Sequence, residues 1–454
     1  MGVRDHRPPL LRSEQMRKQF LYTVVGLVSI TATGWGIWAG GASRASGFQK
    51  NIKEPQHLPT WLKDQVAQAI QIRPGLLPSE VRAPAEGARG LASDSGAALT
   101  IQYTLDPELQ DTMERLYQQY RPDYGAFAAI DPDTGAVLSM VTHTNDPNIK
   151  ENLALRATYP SASIFKVITA AAALSKGGYS PESIIPFTGA NHTLYKSHVL
   201  RDEIHPRWAR RMSLKEAFGR SVNTVFGRIG AHRLGAGPLR EYADRFGFDQ
   251  TLGGDFPLQV GHADIQADAW ELAEAASGFT KGNTMSPVHG ALIAAAVVNG
   301  GKLMEPYLIS NVHQADGSPI YVAQPRVKRS AISPSTAEDL KDLMRATITH
   351  GTSRKSFRGF AKGMFRSTEV GGKTGSLTGD NPRGKVDWFV GYADHRGKKI
   401  AVAALTIHGK LWRVKSSWLA RRSMETYIKS QFADAKTPRR LASATAPATA
   451  RRRR

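Results

Sequence analysis

The run from Tyr159 to Leu174 constrains the fold more than any other stretch of the chain. After Pro160 it is apolar on nearly every face, and Lys166 is its one charge. A helix without a polar face has to be buried, so the rest of the chain must wrap around it. With 454 residues, 41% of them hydrophobic, the chain can do this as one large or two moderate domains. Taking an ammonium out of water is costly, and desolvation lowers a lysine pKa toward the range where neutral amine exists near pH 7. Helical spacing puts Lys166 one turn from Ser163, within reach of its hydroxyl. Ser163 would also stand at the positive end of the helix, which favours an alkoxide and the oxyanion that follows it. By itself, Ser-x-x-Lys is more often a helix cap followed by a lysine that snorkels to water.

The formal net charge of +21 suits anionic surroundings such as phospholipid headgroups, acidic polymers or nucleic acid. The absence of Cys excludes disulfides, thiolate zinc sites and acylated cysteine anchors. The thirteen His form no His-Glu-x-x-His pair, so neither a metal nor any other cofactor is expected.

Residues 1–19 form a basic tail with Arg4, Arg7, Arg12, Arg17 and Lys18, and Phe20 to Ala39 carry no charge. Twenty helical residues span roughly 30 Å, so 20–41 is expected to be a single transmembrane helix. Tyr22, Trp35 and Trp38 fall near its ends, and the basic flank keeps the N-terminus cytoplasmic. Ala39 to Ala42 supply the small residues of a cleavable leader, the competing reading. Residues 42–98, rich in Pro, read as a spacer in which only Trp61 to Ile72 looks helical.

From Leu99 the pattern is globular. Asp106-Pro107 opens a helix with one apolar face, and Gly125 to Ile130 and Ala136 to Val141 form a hairpin around Asp131 to Gly135. Ser213 to Glu216 is a capping box for a short helix that leads into Arg220-Ser221-Val222-Asn223. Helical patterns over Glu271 to Asn299 and Ser335 to Ile348 precede three strands at Lys373 to Leu377, Val386 to Ala393 and Ile400 to His408, then an amphipathic helix from Ser417 to Phe432. The order implies an α+β fold (an α/β sandwich): an antiparallel sheet of about five strands flanked by helices, with an all-helical subdomain. The expected domain therefore covers 99–435, and 436–454, ending in four Arg, read as a disordered basic tail.

Two further polar clusters stand on this framework: Ser221-Val222-Asn223 in a break between helices, and Lys373-Thr374-Gly375-Ser376 on a strand. Taken singly, the first is an ordinary helix break and the second an exposed edge-strand charge. Gly-Lys-Thr as a phosphate loop fails, because Ser367 occupies the required upstream Gly position. In order, Ser-x-x-Lys, Ser-x-Asn and Lys-Thr-Gly resemble the transpeptidase domain of the penicillin-binding proteins, with Val222 where the motif has Asp. Thr104 to Pro107, Ala129 to Gly135, Met285 to Gly301 and Asp387 to Tyr392 are similar to the flanking sequences of that family.

The resemblance implies a D,D-transpeptidase. Ser163 would attack the D-Ala-D-Ala amide of a peptidoglycan stem peptide with Lys166 as base, and the acyl group would pass to an amine of a neighbouring stem. It further implies that Ser221 and Asn223 relay protons and hold the substrate amide, that Lys373 and Thr374 hold its carboxylate, and that Gly375 lets it lie along the strand. Backbone N–H groups of Ser163 and Ser376 would form the oxyanion hole. β-Lactams would acylate the same serine. Hydrolysis of the acyl-enzyme, as in a D,D-carboxypeptidase or β-lactamase, is the alternative within the family, and a non-catalytic penicillin-binding sensor or scaffold is one of another class. The 57 residues from 42 to 98 are too few for the glycosyltransferase of bifunctional members, so a glycosyltransferase or cell-wall synthesis complex is expected as a partner beside membrane lipid. The catalytic domain would lie on the periplasmic side of the cytoplasmic membrane, away from nucleic acid.

Overall fold

The strand from Tyr124 to Ile130 and the run from Ile400 to Leu405 within the strand Lys398–His408 carry no charged residue and no alternation of polar with apolar side chains, a pattern that demands cover on both faces. In the computed structural model, which describes residues 58–72, 77–82, 98–201 and 203–433, they lie inside a five-stranded antiparallel sheet. Its order is Thr368–Asp380, Arg383–His395, Lys398–His408, Tyr124–Ile130, Val137–Thr144. The period of two divides the side chains between two cores. Ala126, Ala128, Ile130, Trp388, Val390 and Leu405 point to one, and Phe127, Ala129, Phe389, Val402 and Ala404 to the other.

The first face is covered by Pro287–Val298, a helix with every residue buried, capped by Ser286 and started by its proline. Gly290 brings it close: a Cβ there would stand 3.1 Å from Val390 and 3.2 Å from Ala403. Helices Pro107–Tyr120 and Ser416–Ala433 cover the second face. The cap of the former is as the sequence predicts, with the Asp106 carboxylate accepting from Leu109 N at 2.9 Å. The mixed architecture of helices on antiparallel sheet is thus the expected one, and it leaves Thr368–Asp380 as an edge strand beside the helix of Ser163.

Two expectations need correction. The middle of the chain is not all-helical, since Ile184–Phe187 pairs with Arg210–Ser213, and Tyr159–Pro160 with Thr284–Met285. Nor is 42–98 merely a spacer. Leu62, Val66 and Ile70 recur every fourth residue as one stripe of helix Thr60–Ile72, and with Leu58 just before the helix they are buried in the first core. Asn152 fixes the helix end by donating from Nδ2 to Ile70 O at 3.0 Å. Glu80–Arg82 and Ala98–Tyr103 join Ile309–Gln314 and Pro319–Val322 in a second, four-stranded sheet. The expected transmembrane helix and both basic tails lie outside the described residues, among which no helix is long and apolar enough to cross a membrane.

Candidate active site

The sequence predicts a helix entered at Pro160, but the chain first makes a short strand. Ser161 N donates to Asn283 O at 2.7 Å, and the Trp388 indole donates to Pro160 O at 2.8 Å. Ala162 then takes a left-handed φ of 49°, and a 3-10 turn, Ala162–Phe165, leads into the α-helix Lys166–Lys176. A left-handed alanine stores strain of about 1–3 kcal/mol, which the surrounding strand pairing and indole hold in place. The result is a partly exposed Ser163 above a fully buried Lys166.

Lys166 Nζ has three partners: Ser163 Oγ at 2.8 Å, Asn223 Oδ1 at 2.8 Å and the Ser277 carbonyl at 2.5 Å. Asn223 is oriented by its own amide, which donates from Nδ2 to His192 O at 2.9 Å. Two of the three partners can therefore only accept. A neutral amine has two N–H bonds and one lone pair, so when Asn223 and Ser277 take the N–H bonds the lone pair is left facing the Ser163 hydroxyl. The pKa of Lys166 is pushed well below the ordinary lysine value, first by burial and then by the neighbouring charge of Lys373.

Lys373 is buried rather than an exposed edge charge. Its Nζ donates to Ser221 Oγ at 2.8 Å and to Thr374 O at 2.9 Å, and it lies 5.5 Å from the centre of the Phe218 ring. Burial lowers its pKa to about 7. Ser221 sits at φ 57° in the break between Leu214–Gly219 and Asn223–Ile229, which turns its hydroxyl toward the edge strand. The Thr374 hydroxyl is 2.6 Å from that of Thr352. At Gly375, a Cβ would stand 3.1 Å from Ser161 O and 3.2 Å from Ala162 Cβ, so any side chain would fill the gap between strand and turn. Ser163, Ser221, Asn223, Thr374, Gly375 and Ser376 all line one cleft of about 650 Å³, and Lys166 and Lys373 lie buried behind it.

Sequence reasoning missed Ser277, Gly278, His192 and Thr352. Gly278, at φ 66°, is the left-handed cap of the helix Ala269–Ser277, a role that a Gly after an Ala-rich helix could have signalled. The other three carry no local signal, since they act through a carbonyl or through contacts with residues far along the chain. The His192 pKa is lowered by burial and by the two lysines. Among the described residues no cluster of three or more His, Asp or Glu could hold a metal. Chemically, the arrangement joins a hydroxyl to a lone pair, beside a second buried amine and a strand edge open to an extended ligand.

Residues 125–422 match the penicillin binding protein transpeptidase domain. The chain is 31% identical over 347 residues to the peptidoglycan D,D-transpeptidase PbpA of Mycobacterium tuberculosis, covering 68% of this chain and 67% of that protein. The crystal structure of PBPA from M. tuberculosis superposes with a TM-score of 0.60 at 27% identity, over 73% of this chain and 83% of that one. A structure of the same mycobacterial protein as its ceftriaxone acyl-enzyme complex aligns with a TM-score of 0.58 at 26% identity, over 73% and 80% of the two chains.

Proposed function

Because the chain belongs to the penicillin-binding protein transpeptidase family, we infer that it is a peptidoglycan D,D-transpeptidase that works through a serine acyl-enzyme and is acylated by β-lactams. The observation that carries this reading is the Lys166 amine, fully buried and 2.8 Å from Ser163 Oγ, with its two other partners able only to accept. Lys166 takes the Ser163 proton as Oγ bonds to the carbonyl carbon of the penultimate D-Ala. The C–N bond breaks, the proton passes to the departing amine of the terminal D-Ala, and the ester remains on Ser163. Ser221, which lines the cleft and accepts from Lys373 Nζ at 2.8 Å, would relay that proton.

The substrate carboxylate would be held by Lys373 and the hydroxyls of Thr374 and Thr352, its amide by Asn223, and its backbone along Gly375. The N–H groups of Ser163 and Ser376 would take the oxyanion. Residues 99–435 would be the catalytic domain, with helix Thr60–Ile72 docked on it; 20–41 would anchor it as a single-pass protein on the outer side of the cytoplasmic membrane. Membrane lipid and a glycosyltransferase or cell-wall synthesis complex would be its partners, and 436–454 a basic tail toward anionic surfaces.

The deciding experiment is covalent labelling with penicillin. A β-lactam presents a strained amide and a carboxylate to the same groups as D-Ala-D-Ala, so Ser163→Ala should abolish labelling. Labelling of that variant at the wild-type level would put the nucleophile elsewhere. Activity of a reporter after Arg454 inside the cytoplasm would reverse the topology.

A further inference from the structure

The cleft does not end at the strand edge. It continues past Thr374 and Ser376 on the sheet face away from Lys166, where Lys355, Lys385 and Lys415 also line it. Lys385 stands opposite Thr378 in the strand pairing, and Asp387 opposite Ser376. The Lys415 ammonium lies 3.4 Å from the centre of the Trp412 ring. The floor carries two hydroxyls, Ser356 and Ser417, 2.7 Å apart.

The charge of this region is one-sided. None of the three lysines has an ion-pair partner among the described residues, whereas Lys281, also in the cleft, is neutralised by Asp380 at 2.7 Å. The acidic group at this end is Asp387, which is buried and turned to Ser416, accepting from its N–H at 2.8 Å. Burial raises its pKa to about 6 in spite of Lys415 and Lys385. The three exposed ammonium groups therefore face the open cleft with one carboxylate near them, Asp387, which is buried, bonded to Ser416 and in ion-pair contact with none of the three.

We propose that the end of the cleft formed by Lys355, Lys385 and Lys415 is the subsite of the second substrate, and that it selects an acceptor peptide bearing a free carboxylate beyond the one next to its reacting amine. This rests on the transpeptidase reading above. In that reading the leaving D-Ala holds its carboxylate at Thr374 and Thr352, and Lys355 follows three residues after Thr352 on the same segment. An amine that replaces the leaving group enters from that side, with the rest of its peptide across the lysines. Nearby cations also disfavour an ammonium, which keeps more of the incoming amine neutral and nucleophilic. In the transfer, the amine nitrogen bonds to the acyl carbon, the bond from that carbon to Ser163 Oγ breaks, and the amine proton returns through Lys166 to Ser163.

The test uses the full chain, a D-Ala thioester donor and two synthetic acceptors. Both are peptides with a γ-linked D-glutamate and a terminal amino-bearing residue; one has the free glutamate α-carboxylate, the other its carboxamide. Mass spectrometry gives the ratio of transfer to hydrolysis for the same acyl-enzyme. Exposed charge pairs contribute up to about 1 kcal/mol each, so the free acid should exceed the amide by roughly threefold to tenfold at low salt. Added salt should narrow that gap. In the Lys385→Gln/Lys415→Gln variant, the ratio for the acid should fall to that for the amide. Equal transfer to both acceptors by the wild type, or an equal loss for both in the variant, overturns the proposal alone. A wild type that forms no acyl-enzyme on Ser163 overturns the transpeptidase reading and the proposal together.

Discussion

Replacing Gly278 by alanine should slow acylation although residue 278 takes no part in the chemistry. Gly278 packs beneath the turn that carries the nucleophile. A Cβ there would overlap the Ala162 carbonyl oxygen, come within 2.5 Å of its carbon and stand 3.0 Å from Ser163 N. Backbone atoms cannot rotate aside, so the Ala162–Ser163 peptide has to shift. The left-handed φ of 66° adds about 1–2 kcal/mol of strain for a residue with a Cβ, and overpacking adds about 1–3 kcal/mol. The sum of about 2–5 kcal/mol corresponds to a Tm lower by roughly 3–7 °C for a domain of this size. The catalytic effect should be larger, because displacing a reacting atom by about 1 Å costs on the order of 100-fold in rate. Gly317→Ala is the control: it has φ 82° but open space around its Cβ, so it should lose only about 1–2 kcal/mol and acylate normally. The assay is the second-order rate of penicillin acylation, with calorimetry on both variants. A Gly278→Ala protein that acylates within about threefold of wild type, with the Tm of Gly317→Ala, would refute the claim that this contact sets the nucleophile.

Lys166 accepts a proton only when neutral, so acylation should rise as pH increases through its pKa, with a midpoint well below the ordinary lysine range. Lys373→Met removes a charge that depresses that pKa and should move the midpoint to higher pH as well as slow the reaction; an unmoved midpoint would refute the coupling. His289 is buried neutral, accepting from Gly261 N at Nδ1 and contacting Phe246 O through Nε2, and burial lowers its pKa to about 4. The unfolded chain binds a proton there below about pH 6.5 and the folded chain only below about 4, so stability of about 3 kcal/mol present at pH 7 should be lost across that window. Chemical denaturation of His289→Gln should have a flatter pH dependence; an identical slope counts against the assignment. Asp255, buried and accepting from Leu308 N at 2.8 Å and Ile309 N at 2.7 Å, anchors the four-stranded sheet. Asp255→Ala should therefore cost about 2–4 kcal/mol in calorimetry, and a loss under about 0.5 kcal/mol would show that water replaces the carboxylate.

Local order makes much of this protein legible in its sequence. Ser163 and Lys166 are three residues apart on one turn, Asp106 and Ser213 announce helix starts, and the strand composition of three segments between Lys373 and His408 announces a sheet. All of these depend on neighbours within a few residues, which is the range over which helical and strand periodicity operate. The charge state of the site depends on groups far apart in sequence. Lys166 meets Asn223 57 residues away and Ser277 111 residues away, and Lys373 meets Ser221 across 152 residues. The motif puts these side chains in one chain, but not in contact and not out of water. A lysine becomes a base through desolvation and through the acceptors that occupy its N–H bonds, and both are properties of the packed interior. The same limit explains the helix Thr60–Ile72, whose helical pattern is legible in the sequence while its partner, a core built mostly from residues beyond Leu99, is not.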